Sequence, residues 1–228
     1  MIRHLFVFRP EPGLSVTLET AAASDLQADG CPLFEVEPVI WAVPDKDDYD
    51  AILVGSSNVF RHGGRGLDRL AGLPVYAVGE ATANGAREKG FHVAQTGKGG
   101  LQQLLDGLAG RELSFLRLAG EAMVDLVPPA GITIETRVAY RMQPLGMTDA
   151  IADRLRDDGG VALLHSGEAA RRLTSECERL SIDRSRITIA TLGPRIAEMA
   201  GAGWQAVHTA RQPVDAELLA LAERLCQD

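Results

Sequence analysis

Four short polar loops in the sequence each follow an apolar run and precede a helical pattern. They share glycine or hydroxyl side chains and form two matched pairs: Gly55-Ser56-Ser57-Asn58 with His165-Ser166-Gly167, and Gly79-Glu80-Ala81-Thr82 with Gly193-Pro194-Arg195. Because the first backbone N–H groups of a helix have no partner within the helix, such loops suit carboxylates or phosphates. Taken singly, each loop is most simply a helix cap. Two matched pairs favour a shared cleft for an anionic ligand.

Three ionisable or proton-donating side chains stand at comparable places. Arg9 follows the first apolar run in "FVFRP", where it suits an anion or, equally, a surface salt bridge. Tyr140 ends the run "VAY", where a packing role is the simpler interpretation. A tyrosine with an ordinary pKa of about 10 stays protonated at neutral pH and can donate a proton. Arg195 suits either an anion or the capping of its own helix.

Several other chemistries have no supporting motif in the chain. It contains no GxGxxG and no GxxxxGK[ST] loop, so a nucleotide-dependent transferase is weakly supported. The five histidines show no HxH or HExxH spacing, and we expect no metal site. A GxSxG nucleophile elbow is also absent from the sequence.

Composition and charge describe an ordinary globular protein. Of 228 residues, 46% are apolar, which is enough to bury a core, and 24% are charged. The net charge of −8 argues against partners such as nucleic acid or an anionic membrane. The chain has an odd number of cysteines, three, and they are widely spaced, at Cys31, Cys177 and Cys226. This pattern indicates reduced thiols. The first apolar run, residues 5–8, is too short for a signal peptide, and we expect a cytoplasmic protein.

Apolar runs alternate with helical patterns along the whole chain. We predict strands at residues 5–8, 33–37, 51–54, 75–78, 92–95, 114–118, 133–138, 161–164, 188–192 and 206–209. Apolar residues at helical spacing predict helices in "LQQLLDGLAG" and in "VDAELLALAERL", the second with a possible N-cap at Asp215. This alternation predicts an α/β protein with parallel sheets covered on both sides.

The chain also repeats itself. Residues 52–108 and 161–225 run through the same order of strands, polar loops and helices. The two remaining segments, 5–39 and 113–140, both suggest strand, polar loop, helix, glycine and strand. The order is therefore A–B–A′–B′, and the sequence leaves open whether A pairs with B or with B′. Proline-bearing stretches after each A segment, "EVEPVIWAVPDKDD" and "RVAYRMQPLGM", are the expected crossovers.

Five segments in the right order make the chain resemble the uroporphyrinogen-III synthase family. They are "RPEPG", "DAILVGSSNVFRH", "LPVYAVGEATANGAREKGFHV", "GITIETRVAYR" and "ITIATLGPRIAEMAGAGW". The most specific of them is "VYAVGEATANGAREKGF", and together they span nearly the whole chain.

The resemblance implies a fold and a domain division. It implies two flavodoxin-like (Rossmann-like) three-layer domains with parallel sheets, joined by a two-stranded linker, with a cleft between them. One domain would combine residues 1–35 and 146–228, so that A pairs with B′, and the other would span 41–136. The linker strands would be 36–40 and 137–145.

The resemblance also implies a reaction. The substrate would be hydroxymethylbilane, a linear tetrapyrrole with eight carboxylates. The product would be uroporphyrinogen III, formed with loss of water and inversion of ring D through a spiro intermediate, without metal or organic cofactor. Correct folding of the substrate would be the main catalytic contribution. We expect a monomer that makes at most transient contact with the enzyme that forms hydroxymethylbilane.

The family's site residues carry over to particular positions of this chain. The tyrosine before the second crossover corresponds to Tyr140, the candidate proton donor, and loop positions correspond to Ser56 and Thr82. The candidate substrate-binding set is Arg9, Ser56, Ser57, Asn58, Gly79, Thr82, His165, Ser166, Gly167, Gly193 and Arg195. The family usually has threonines after Gly-Pro, where this chain has Arg195 and Ile196. A rival interpretation of the same repeat is a bilobed binding or sensor protein that performs no chemistry.

Overall fold

The computed structural model describes residues 3–227, so the predicted domain ends at residues 1 and 228 lie outside it. The described strands are β1 (Leu5–Phe8), β2 (Ala28–Gly30), β3 (Phe34–Pro38), β4 (Ala51–Val54), β5 (Val75–Val78), β6 (Val93–Gly97), β7 (Leu113–Gly120), β8 (Ile132–Pro144), β9 (Gly160–Leu164), β10 (Ile187–Thr191) and β11 (Ala206–Thr209). The helices are α1 (Gly13–Ala23), α2 (Asn58–His62), α3 (Glu80–Glu88), α4 (Leu101–Asp106), α5 (Asp149–Asp157), α6 (Gly167–Arg179), α7 (Pro194–Ala200) and α8 (Asp215–Gln227). Short 3-10 turns lie at Lys46–Asp48, Gly64–Leu70 and Arg184–Arg186.

The chain divides into two compact units. Unit 1 contains Met1–Glu35 and Pro144–Asp228, and unit 2 contains Val36–Gln143. Each unit has its own sheet, with five strands in unit 1 and six in unit 2.

Unit 1 is built on a parallel sheet in the order β2-β1-β9-β10-β11. This is the strand order of flavodoxin-like sheets. Strands β1, β9 and β10 are buried along their whole length, as expected for a parallel sheet covered on both faces. Leucines of α8, such as Leu218 and Leu221, pack with Leu5 and Leu163 on one of these faces.

Unit 2 has the order β3-β8-β7-β4-β5-β6. Its strands from β8 to β6 are parallel. One face carries Ile52 and Leu116 against Phe60 of α2, and the other carries Leu53 and Phe115 against residues of α4. A helical layer therefore covers each face of the sheet.

The two sheets have the same arrangement of A-type and B-type strands, but these strands follow one another in a different order along the chain. In unit 1 the A strands β2 and β1 lie beside the B′ strands β9, β10 and β11. In unit 2 the A′ strands β8 and β7 lie beside the B strands β4, β5 and β6 in the same arrangement. Unit 2 is thus a circular permutation of unit 1, with β3 added at its edge.

The prediction of an α/β protein with parallel sheets is confirmed, and the ten predicted strands are present with shifts at their ends. Two details of the repeat were wrong. The second strand of unit 1 is the unpredicted β2, while the strand predicted at 33–37 is β3, which pairs with β8. The helix expected between β7 and β8 is also absent from the described chain. Residues 121–131 are irregular there, since Pro128 and Pro129 oppose helix formation.

Candidate functional site

The candidate loops all follow the carboxyl ends of parallel strands, the edge of an open α/β sheet at which ligands bind. In unit 1, Arg9 and His165 are the residues directly after the paired positions Phe8 and Leu164 of the neighbouring strands β1 and β9. The structure therefore brings together two of the predicted residues that lie far apart in the sequence.

Arg9 is held in place by two helices of unit 1, α1 and α8. Its Nη1 donates to Thr17 Oγ1 of α1 at 2.9 Å and to Asp215 Oδ2 at the start of α8, also at 2.9 Å. The guanidinium lies over Gly13, where a Cβ atom would come within 2.4 Å of Arg9 Nε. The side chain of Arg9 is 22% exposed, and that of Asp215 is 48% exposed. Arg9 thus faces the solvent only in part, with a carboxylate already bound.

His165 lies beside this ion pair and is nearly enclosed. Its side chain is 8% exposed, and its Nε2 is 3.7 Å from Asp215 Oδ1, beyond hydrogen-bond distance. Among the residues that the structure describes, neither ring nitrogen has a hydrogen-bond partner. Burial, and after it the positive charge of Arg9, lowers the pKa of His165 to about 4, while the negative charge of Asp215 opposes the shift. The imidazole is therefore neutral at neutral pH.

Asp215 was not among the predicted site residues, although it was expected to cap a helix. The signal available in the sequence was its position at the start of an amphipathic helix after the last strand. Its pairing with Arg9 joins residues 206 positions apart, which no local pattern reveals.

Both candidate loops of unit 1 begin helices in an ordinary way. Ser166 is the N-cap of α6, and its Oγ accepts from Ala169 N at 3.2 Å. Gly167 lies close to α7, because a Cβ atom there would meet Met199 Sδ at 1.8 Å. Gly193 precedes α7 in an extended conformation. Arg195 is exposed, and within residues 3–227 it forms no ion pair.

In unit 2, the loop after β4 begins the short helix α2. Ser56 Oγ accepts from Asn58 N at 3.3 Å, so this hydroxyl oxygen also caps a turn. The Asn58 side chain accepts from Arg61 Nη1 at 3.4 Å. Ser57 is the N-cap residue of α2, but its hydroxyl forms no capping bond to the helix. Ser57 is therefore the serine of this loop whose side chain is not used for capping.

The loop after β5 lies on the neighbouring strand, because β4 pairs with β5. Gly79 has φ of 79° and ψ of 147°, a conformation that favours glycine, and it turns the chain directly into α3. Thr82 is 5% exposed in the first turn of α3. Gly85 of α3 approaches Ser57, where a Cβ atom would be 3.4 Å from Ser57 Cβ. The structure thus places the Gly79 loop beside the Ser56–Asn58 loop.

Tyr140 stands opposite the last residue of β7, at the same edge of the sheet. It pairs with Gly120 across β7 and β8, and the residue is 9% exposed. Its ring packs on Gly120, since a Cβ atom there would be 2.7 Å from Tyr140 Cε2 and Cζ. Two strands, β7 and β4, lie between Tyr140 and the Gly79 loop in the sheet order.

Within residues 3–227, no group of three or more His, Cys, Asp or Glu side chains is placed to hold a metal ion. The same part of the chain contains no helix long and apolar enough to cross a membrane. The three cysteines are buried and free. Burial raises the pKa of Cys177 to about 12 and that of Cys226 to about 11, which keeps both as thiols.

Comparisons with known proteins give one consistent answer. A family model described as uroporphyrinogen-III synthase matches residues 15–220. The crystal structure of uroporphyrinogen-III synthetase from Helicobacter pylori 26695 is similar, with a TM-score of 0.67 and 18% identity, over 98% of this chain and 99% of that one. A mutant uroporphyrinogen III synthase from the extremely thermophilic bacterium Thermus thermophilus has a TM-score of 0.59 and 15% identity, over 99% and 100% of the two chains. At these identities the likeness shows the fold alone. No curated protein sequence matches the chain.

Proposed function

Because the chain belongs to the uroporphyrinogen-III synthase family, we propose that its carboxyl-edge loops hold the carboxylates of hydroxymethylbilane while Tyr140 assists loss of the hydroxyl group. The chain is an enzyme of this type, which cyclises the linear tetrapyrrole to uroporphyrinogen III. The proposal concerns how its own residues perform that reaction.

The reaction needs little from the protein in covalent chemistry. The C–O bond of the hydroxymethyl group breaks, and the departing hydroxide takes a proton and leaves as water. The resulting methylene carbon bonds to the substituted α-carbon of ring D to give a spiro intermediate, the bond from that carbon to the neighbouring methylene bridge breaks, and the bridge re-forms at the free α-carbon. The proton lost from that carbon balances the proton taken up by the departing hydroxide. Because the substrate also cyclises unaided, to the isomer with ring D not inverted, the enzyme must make the inverted closure the nearer one.

A single observation carries the role of Tyr140. The residue is largely buried at the carboxyl edge of the sheet of unit 2. Its ring rests on Gly120, a position at which any side chain would collide with the ring. A protonated phenol fixed in this way is a suitable donor to a leaving hydroxide, provided that the substrate hydroxymethyl group lies within hydrogen-bond reach.

The loops supply contacts for an anion without a strongly basic surface. The capping roles of Ser56 and Ser166 use their hydroxyl oxygens as acceptors, which leaves their O–H protons for a carboxylate. We propose that the substrate takes contacts from Arg9, His165, Ser166, Gly167, Gly193 and Arg195 of unit 1 and from Ser56, Ser57, Asn58, Gly79 and Thr82 of unit 2. Arg195 takes the place of the threonine hydroxyl that the family usually has.

The division into domains 1–35 with 146–228 and 41–136, with linker strands 36–40 and 137–145, is part of the same proposal. So is a cleft between the two domains that receives the substrate, and so is a monomeric cytoplasmic protein. The observed boundaries at residues 35/36 and 143/144 are compatible with this division.

The experiment that tests the function mixes the protein with enzymatically generated hydroxymethylbilane and separates the isomers of the product. We expect uroporphyrinogen III to form faster than the spontaneous type I isomer. If only the type I isomer appears, at the uncatalysed rate, the chain is instead a binding or sensor protein for an anionic molecule.

A further inference from the structure

We infer that Arg9 and His165 form a subsite for one substrate carboxylate, and that Asp215 occupies this subsite in the free protein. The inference rests on the proposed function and deepens it, because it assigns an internal competitor to the site. A substrate carboxylate takes over the position of the Asp215 carboxylate as it binds.

The first argument is the placement of the three charged or polar groups. Arg9 Nη1 and Asp215 Oδ2 are 2.9 Å apart, and Asp215 Oδ1 points towards His165 Nε2 at 3.7 Å. The carboxylate thus lies between a guanidinium and an imidazole, the arrangement that a bound carboxylate would have.

The second argument concerns the hydrogen bonding of His165. Its side chain is more than nine-tenths buried, and both ring nitrogens are without hydrogen bonds to any residue in the described part of the chain. Leaving a buried polar group unpaired costs free energy, and a ligand that completes the bond is one reason for which a native structure bears that cost. Asp215 comes close but does not complete it. A carboxylate free to adjust its position can.

The third argument concerns which of the groups is able to move. Thr17 is 1% exposed, and its hydroxyl accepts a hydrogen bond from Arg9 while donating one to Gly13 O at 3.0 Å. This buried hydroxyl therefore fixes the position of the guanidinium. Asp215 is 48% exposed on the first residue of α8, and a rotation of its side chain releases it to water. The partner that leaves is therefore Asp215, and Arg9 stays.

Asp215→Asn tests the inference because it should improve binding. Removing the competing charge is expected to lower KM for hydroxymethylbilane about two- to fivefold with kcat unchanged, the affinity equivalent of one partly exposed ion pair. Arg9→Gln is expected to raise KM about tenfold, because it removes the charged donor itself. In the Arg9→Gln background, Asp215→Asn should no longer lower KM, which gives a double-mutant cycle.

The matched control is Asp183→Asn. Asp183 follows α6 and precedes β10, so it lies at the opposite edge of the same sheet, and the substitution changes net charge equally. Thermal unfolding of each variant shows whether the fold is retained. If Asp215→Asn leaves KM equal to that of Asp183→Asn, or raises it with the fold intact, Asp215 only anchors Arg9 and the inference is overturned.

The outcome is separable from that of the proposed function. A wild-type protein that produces uroporphyrinogen III retains its function whatever Asp215→Asn does. If the wild type shows no turnover, the same variants are compared by their Kd for uroporphyrin III, an air-stable porphyrin with the same eight carboxylates. Tighter binding by Asp215→Asn then supports the subsite, and unchanged binding overturns it.

Discussion

The ring of Tyr140 rests on Gly120, its partner across β7 and β8, with no space for a β-carbon between them. A Cβ atom at residue 120 would be 2.7 Å from two ring carbons and 2.9 Å from the hydroxyl oxygen of Tyr140. Real β-carbons do not approach heavy atoms so closely, so glycine at 120 is what allows the tyrosine its position. This relationship makes the role of Tyr140 testable from two sides.

The first prediction concerns the hydroxyl itself. Tyr140→Phe should lower kcat about 10²-fold, the lower end of what a positioned proton donor contributes, while the fold is retained. Single-turnover kinetics with hydroxymethylbilane, together with circular dichroism, measure both quantities. A variant that turns over as fast as the wild type would remove Tyr140 from the role of proton donor.

The second prediction concerns the position of the ring. Gly120→Ala should displace the ring and lower kcat about tenfold, because small misplacements of a reacting group are costly. The control is Gly107→Ala, since Gly107 has φ of −68° and a Cβ atom there would make only an ordinary contact at 3.5 Å. Combined with Tyr140→Phe, the Gly120→Ala substitution should have little further effect on kcat. Independent, multiplying effects would show that Gly120 acts otherwise than through Tyr140.

The third prediction concerns acid stability. His165 has a pKa of about 4 in the folded protein and about 6.5 when unfolded, so the unfolded chain binds more protons between these values. The contribution of His165 to the free energy of unfolding is fully present above pH 6.5. It decreases as the pH falls towards 4, and the total loss is up to about 3 kcal/mol. Urea titrations of the wild type and of His165→Asn from pH 7 to pH 4 measure the difference.

The control for this titration is His92→Asn, because His92 is exposed. We expect the wild type and His92→Asn to lose stability in parallel, while His165→Asn loses less. Parallel loss by all three proteins would show that His165 is protonated as readily in the folded state as in the unfolded one.

The fourth prediction concerns Glu176, a fully buried carboxylate on α6. It accepts from Met147 N at 2.8 Å and from Arg179 Nη2 at 2.6 Å, and it pairs with Arg172 at 3.1 Å. The hydrogen bond from Arg179 lowers the pKa of Glu176, so its contribution to stability is present at neutral pH and is lost as the pH falls through that lowered pKa.

Glu176→Gln should lower the free energy of unfolding by about 2 kcal/mol, since it weakens charge-assisted hydrogen bonds that hold residues 145–147. Glu178→Gln on the same helix is the control, because Glu178 is exposed and its nearest cation is 3.7 Å away. Chemical denaturation of the two variants gives the comparison. Equal stability of both would mean that Glu176 does not anchor this segment.

The local elements of the fold could be predicted from the sequence. Apolar runs such as residues 51–54 and 161–164 are strands because each is buried on both faces, and burial of that kind leaves a continuous pattern in the residues themselves. The polar loops that follow these strands could also be predicted, because glycine and hydroxyl side chains end each apolar run. The chemical class of the enzyme came from the order of five segments along the chain.

What required the tertiary structure was every relation between distant residues. Which A segment pairs with which B segment depends on strand order, and strand pairing leaves no signature within either strand. The three-residue strand β2 was too short to give a recognisable pattern. Strand β3 was expected in the sheet of unit 1, but it pairs with β8 in the sheet of unit 2.

The same distinction holds for the site. The sequence by itself determined that Arg9 and His165 each follow a buried strand. Only the tertiary structure decided that they lie side by side, that Asp215 lies between them, and that no described residue hydrogen-bonds to the His165 ring. Local order follows from neighbouring residues, whereas burial, pKa and ion pairing follow from whatever the fold brings near.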